Sequence, residues 1–322
     1  MGKKDLTLKS YLSDPVRYAD VYNGSIFKGV QVLDGTQLEE AQAIAVMAEG
    51  DVVLERTCDI AMRQKVGGGL YALWILENQE TVDYGMPVRV LLREALEYDR
   101  QVKELRRRNA ASGKAKHGKG SAGEYLYKVR KTDHIRPVST LIIYWGSKPW
   151  DGPRSLHEIL DFGGIDEDVA QELKKLIPEY PLHILDLNET SDYSVFRTSL
   201  RTVFELYACR SDKKQFLDYV KKHEECRHLD VETHEVIRQL MGASKLRRLQ
   251  EKPEQEEEEQ DMWKAVEDLI EDGRLEGRQE GESIQIISII DSMMEKLHCT
   301  LEEACEYAGK TLEEYQQAKA LV

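Results

Sequence analysis

Asp59 is followed eighteen residues later by Glu77, and Gln79 stands two positions further on, at the end of the apolar run Leu70-Tyr-Ala-Leu-Trp-Ile-Leu76. Successive strand side chains point to opposite faces, so Glu77 and Gln79 project together while Asn78 points away. If the glycine run Gly67-Gly-Gly69 turns the chain so that two strands pair, Asp59 reaches the same side near their ends. Two carboxylates converging there make a site for a hard divalent cation, and a polar group two residues on can touch the same water or phosphate. Metal-assisted hydrolysis of a phosphodiester is the chemistry such a set would do. Alone, the set is weak: an aspartate on a strand is commonly a turn or edge residue, and Glu-Asn-Gln after a strand is commonly a solvated exit.

The elements around the pair therefore matter. Glu55 to Gln64 and Leu70 to Gln79 read as paired strands, the second apolar enough to be buried on both faces. Ahead of them, Asp14 to Phe27 reads as a helix: Ser13 or Asp14 can cap it, Pro15 suits its first turn, and Val16, Tyr18, Ala19, Val21 and Tyr22 supply apolar contacts. Gly29 to Val32 reads as a short strand and Gln37 to Met47 as a short helix in an inserted loop. Pro87 opens a helix from Val88 to about Arg108, with Val88, Leu91, Leu92, Ala95, Leu96 and Val102 at helical spacing. Tyr84 and Tyr98 read as core aromatics. Ala110 to Gly123 is a Gly-, Ser-, Ala- and Lys-rich loop, and Val138 to Trp145 a strong strand closed by Gly146 and Pro149.

Helical patterns dominate afterwards, over Leu156 to Leu160, Asp166 to Leu176, Ser194 to Cys209, Lys213 to Glu224 and Val231 to Met241, with Leu182 to Leu187 as an edge strand. That order indicates an α/β core with a helical extension. Beyond Lys252 a glutamate-rich hinge leads to a long helix from Met262 to about Lys296. Gly273, Gly277 and Gly281 recur along it; a degenerate Glu-Gly-Arg repeat is the preferred reading over a close-packing face. Thr300 to Leu321 reads as a helical pair, with capping-box spacings at Thr300/Glu303 and Thr311/Glu314. The expected divisions are 1–161, 162–250 and 251–322.

The apolar runs fall short of the roughly 20 residues that span a bilayer, so a soluble, cytoplasmic chain is expected. Five scattered cysteines fit a reducing compartment. His223, Cys226 and His228 could form a zinc cluster, but a charged helix face is the stronger reading. No G-x-S-x-G elbow or phosphate-binding loop is present. The formal net charge of −14 argues against coating nucleic acid by bulk attraction. Yet the stretch from Lys103 to Arg136 is strongly basic, and Lys114, Lys116 and Lys119 within it are candidate nucleic-acid contacts.

Four ordered features resemble the Rpn family, recombination-promoting nucleases also described as YhgA-like transposases, within the PD-(D/E)XK nuclease superfamily. They are the D…E-x-Q strands, the helix Met86-Pro-Val-Arg-Val-Leu-Leu-Arg93, the strand Leu141-Ile-Ile-Tyr-Trp-Gly146 followed by Lys148-Pro-Trp150, and the Glu-Gly-Arg tail. The likeness runs from about Asp14 to Asp161. It implies a restriction-endonuclease-like αβββαβ core and a metal-dependent DNA endonuclease that promotes recombination. On that resemblance Mg2+, or another divalent cation, sits on Asp59, Glu77 and the Asn78 backbone carbonyl, with Asp20 of the first helix as a candidate third acid, although a helix-surface acid is the stronger reading of it; Asn23 has a weaker claim. Gln79 stands where many superfamily members carry lysine. A neutral amide can orient water or phosphate but cannot act as a general base, which leaves electrostatic work to the metal and to Arg89. Two other readings remain: a nuclease-fold DNA-binding or regulatory module without cleavage, contacting DNA through the three lysines, and a scaffold forming homo-oligomers through its C-terminal helices.

Overall fold

The structure, a computed structural model, describes residues 3–41, 44–49, 52–66, 69–111, 122–241, 259–260 and 262–321. Helices α1 (Lys3–Leu12) and α2 (Pro15–Ser25) open the chain, followed by β1 (Leu38–Glu40), β2 (Ile44–Glu49), β3 (Val52–Thr57), β4 (Ile60–Val66) and β5 (Gly69–Gln79). Then come α3 (Met86–Ala111), α4 (Ala122–Tyr127), β6 (Val138–Tyr144), α5 (Glu167–Leu176), β7 (His183–Asp186), α6 (Leu200–Ala208) and α7 (Lys213–Lys222). The chain closes with β8 (Leu229–Asp230), α8 (Val231–Met241), β9 (Glu259–Gln260), α9 (Met262–Leu297), α10 (Leu301–Tyr307) and α11 (Leu312–Leu321). It divides into two compact units, Met1–Phe216 with Val231–Leu240, and Leu217–Asp230 with Met241–Val322. Residues 162–216, within the expected helical extension of the core, belong with the core unit.

The core unit is mixed α/β, built on a five-stranded sheet in the order β1-β4-β5-β6-β7. β1, β4 and β5 pair antiparallel, whereas β5, β6 and β7 run parallel. Helix α3 supplies the crossover between β5 and β6, as parallel neighbours require. Alternation along the strands gives the sheet two buried faces. One carries Leu73, Ile75, Val138, Ile142 and Tyr144 against Met86, Val90 and Tyr98 of α3. The other lies under α2, whose Tyr18 hydroxyl donates to the Trp74 carbonyl at 2.8 Å and whose Tyr22 hydroxyl lies 2.5 Å from the Ile75 carbonyl.

The helix ends follow their sequence signals. Asp14 caps α2 by accepting from Val16 and Arg17 N–H, and Pro15 sits in its first turn. In the second unit, Thr300 and Glu303 form a reciprocal capping box. Thr311 and Glu314 do the same. Ile290 of α9 packs with Ala304, Cys305 and Tyr315 in a small core of that unit. A side chain at Gly281 would meet open space, so that glycine makes no close packing contact among the described residues; the surroundings of Gly273 and Gly277 lie outside them.

Four expectations are corrected, each for a physical reason. Residues 29–32 form no strand, because the Asn23 side chain, not a neighbouring ladder, takes up Val32 and Leu33 N–H at 2.9 Å each. The short helix expected from Gln37 to Met47 gives way, over its described residues, to other elements: Asp34 caps a single 3-10 turn over Gly35–Gln37, and β1 and β2 follow. The expected strand from Glu55 to Gln64 breaks at Cys58 and Asp59, so β3 pairs with β2 in a separate hairpin and β4 joins the sheet. The expected helix from Ser194 begins only at Leu200, since Asp20 captures the Arg197 and Thr198 N–H groups. Helix α1, with Leu8, Tyr11 and Leu12 buried, has no counterpart in the sequence reading. Among the described residues no helix is long and apolar enough to cross a membrane.

Candidate active site

The β4–β5 register pairs Ala61 with Ile75 and Ile60 with Leu76, and one further step puts Asp59 opposite Glu77. Alternation places Asp59 on the face of Ala61, and Glu77 and Gln79 on the face of Ile75, which is the face covered by α3. The Asp59 carboxylate accepts the Asn78 backbone N–H at 2.7 Å, which fixes it against the end of β5. The Gln79 side chain is near enough to the Glu77 carboxylate to hold its pKa down. Asn78 points the other way, its side-chain oxygen accepting from the Trp145 indole at 2.9 Å. The Gln79 carbonyl accepts from Trp145 N–H on the β6 side, at 2.7 Å. Peptide groups alternate along a strand, so the Asn78 carbonyl faces the opposite edge, the one that bears Asp59.

Helix α3 brings two arginines, one turn apart, onto Glu77. Arg93 pairs with one carboxylate oxygen, and Arg89 lies 3.4 Å from the other. Arg89 also lies 3.4 Å from Asp83 and is partly exposed. Glu77 and Arg93 are closed off, at 1% and 2% exposure. Burial pushes the Glu77 carboxyl up; Arg93 opposes the shift, the Asp59 charge adds to it, and Arg89 and Gln79 oppose it, leaving a net rise. The Arg93 Nε and Nη2 atoms are buried with no acceptor. Burial also pushes the neighbouring Cys58 thiol up to about 11, so no thiolate nucleophile competes with the acids.

Asp59, Glu77, Gln79 and Arg89 are thus brought together, while other predicted site residues lie elsewhere. Asp20 is not a surface acid: it is buried, and its oxygens accept from Arg197 N–H, Thr198 N–H and the Thr198 hydroxyl at 2.7 to 3.0 Å. Asn23 is likewise structural, bonded to the backbone of Val32 and Leu33. Lys114, Lys116 and Lys119 lie outside the described residues. Tyr98 supports the sheet through the Val138 backbone, but Tyr84 is exposed, not core, and its hydroxyl meets Asp151 at 3.2 Å. His223 stacks on Tyr219, and among the described residues no three His, Cys, Asp or Glu side chains converge as a metal-ligand group.

Arg93 is the site residue that the sequence reading missed. The signal was present: Arg89 and Arg93 are spaced i, i+4, so an arginine expected to face Glu77 from a helix carries a second one on the same face. Compared with known proteins, the chain matches no family model, no curated protein and no solved structure.

Proposed function

We propose that the chain is a metal-dependent DNA endonuclease that hydrolyses phosphodiester bonds, of the Rpn type within the PD-(D/E)XK superfamily. The observation that carries this reading is the convergence of Asp59, Glu77 and Gln79 on one sheet face at the ends of adjacent strands, with Arg89 above them. With the separate β2–β3 hairpin and α4 set aside, the succession α2, β1, β4, β5, α3, β6 also supports it, since it agrees with the αβββαβ order the resemblance implies.

The donor set fits magnesium, which is held by one or two carboxylates and leaves its other positions to water and phosphate oxygens. Asp59 and Glu77 would hold it with the Asn78 carbonyl; the ion would supply charge stabilisation and a water of lowered pKa. The chain's own residues do the rest. Gln79 orients the Glu77 carboxylate and can position a water or a phosphate oxygen. Arg89, the more exposed of the two arginines, can meet the charge that develops on phosphate. Arg93 touches no substrate in this scheme and positions Glu77.

One observation favours a second reading, a nuclease-fold DNA-binding or regulatory module without cleavage: the Arg93–Glu77 pair is buried on both sides, and its guanidinium already neutralises the carboxylate. Nicking of supercoiled plasmid with added Mg2+ decides between them. The nuclease reading predicts nicking by the intact chain and its loss, by about a hundredfold or more, in Asp59→Ala and Glu77→Gln with folding preserved. Undiminished nicking in both variants would remove the site assignment, and DNA binding without nicking by the intact chain would establish the second reading.

A further inference from the structure

Helix α5 and the residue before its cap present an apolar stripe to solvent. Ile165, Val169, Leu173 and Leu176 follow one another at four, four and three residues, the spacing that lines up one side of a helix. They are 43%, 50%, 37% and 79% exposed. Only Ala170 of α5 is buried, so the helix touches the core unit through a different side. Apolar residues scattered singly over a surface need no explanation, but a stripe over successive turns does. A helix of ten residues is too short to hold itself together in water and draws its stability from burial of its apolar side. In α5 that side points outwards.

The charges around the stripe select what can cover it. Asp166, Glu167 and Asp168 occupy the start of α5, Glu172 its middle, and Lys174 and Lys175 its last turn. Four acids against two lysines do not suit an anionic membrane surface or nucleic acid, which call for a polar face rich in lysine and arginine. A second α5 laid antiparallel does match. It brings the acidic first turn of each helix beside the basic last turn of the other, and sets Val169 against Leu173 of the second copy. Asp168 and Lys175 stand seven residues apart, two turns, on one flank of the stripe, and both are exposed. Lys175 lies 2.5 Å from Glu172, which holds its ammonium on that flank. About a twofold axis at the middle of the helix, each Asp168 meets the Lys175 of the other copy, and the same patch serves both.

We propose that a second copy of this chain covers the α5 face, the two helices packed antiparallel about a twofold axis. This surface is distinct from the C-terminal helices, and the proposal does not depend on the endonuclease reading. A helix about 15 Å long buries less than the roughly 800 Å² per partner of a standard interface, so the pair is weak and exchanges freely. It forms as concentration rises and dissociates on dilution.

Sedimentation equilibrium of the intact chain from about 5 to 500 μM tests it. The mass is expected to climb towards that of a dimer. Val169→Ser/Leu173→Ser alters only exposed positions and, with folding checked by circular dichroism, is expected to weaken association about tenfold or more. Lys175→Glu and Asp168→Lys each set like charges together at both symmetric contacts, and each alone is expected to associate about threefold more weakly. Mixed in equal amounts, the two variants pair opposite charges at both contacts, and association is expected to return. An intact chain that stays monomeric throughout, including one that floats with phosphatidylglycerol vesicles instead, overturns the proposal. So does a mixture that associates no better than its parts, or association undiminished in the serine pair, which would assign it to another surface such as the C-terminal helices.

Discussion

The two faces of strand β5 each bury polar groups beneath a helix, and they use them differently. Of the polar side chains of α2, four are tied to backbone: Tyr18 and Tyr22 to Trp74 and Ile75, Asn23 to Val32 and Leu33, and Asp20, the charged one, to Arg197 and Thr198; the Ser25 hydroxyl alone is buried without a partner among the described residues. Under α3 the set is charged: Arg93 and Arg89 meet Glu77 directly, Asp59 takes a backbone N–H, and Arg93 keeps two buried N–H-bearing atoms without acceptors. Satisfied backbone-directed bonds fasten a fold, whereas an incompletely satisfied cluster of charges is costly and marks a place retained for chemistry. The α2 face fastens the fold, and the α3 face is the one on which the proposed site rests.

The comparison can be strained from its strongest point downward. Arg93→Ala leaves the Glu77 carboxylate buried without its closest partner and should destabilise the fold by about 3–5 kcal/mol at neutral pH, measured by urea denaturation. That deficit, relative to the intact chain, should shrink on acidification. Glu77 already titrates above the ordinary value of 4.5, so the folded state binds a proton that the unfolded state releases. Its contribution is therefore most favourable below the unfolded value and is lost as pH rises through the folded one. Removing Arg93 raises that folded value further and steepens the loss. A deficit that stays constant across this window would show that Glu77 is not the group left uncompensated.

On the other face, Asn23→Ala strands the Val32 and Leu33 N–H groups and the Leu33 carbonyl, and should cost about 2–3 kcal/mol with no dependence on the same window. The smallest effect is expected where the comparison is sharpest. Glu77→Gln/Arg93→Met removes both charges together and should leave stability unchanged or raise it by about 1–4 kcal/mol, since a buried ion pair does little for folding. A large loss in that double variant would make the charged face structural after all.

The acid pair was legible because strand alternation is a strict rule and the apolar run Leu70 to Leu76 leaves little doubt about the period. Helix α3 was legible through Pro87 and its apolar spacing, and with it Arg89. What escaped depended on long-range bonds that no local pattern announces. Asp20 looks like a helix-surface acid until the loop at Arg197, far along the chain, folds back onto it. The same contact shortens α6, so one tertiary interaction explains two differences. Asn23 replaces a strand ladder over Val32 and Leu33 with its own side chain, and the missing strand follows from that. Arg93 was in plain view one turn beyond Arg89, but no local pattern announces that so costly a group as a guanidinium will be buried.

The central claim is that the charged set under α3 holds a divalent cation and the buried acid under α2 does not. Electron paramagnetic resonance of Mn2+ reads this without reference to cleavage, by loss of the free-ion signal as protein is added. The account predicts that the intact chain binds Mn2+, that Asp59→Asn releases it, and that Asp20→Asn, folded by circular dichroism, retains it. Binding that survives Asp59→Asn, or that vanishes with Asp20→Asn, would contradict it.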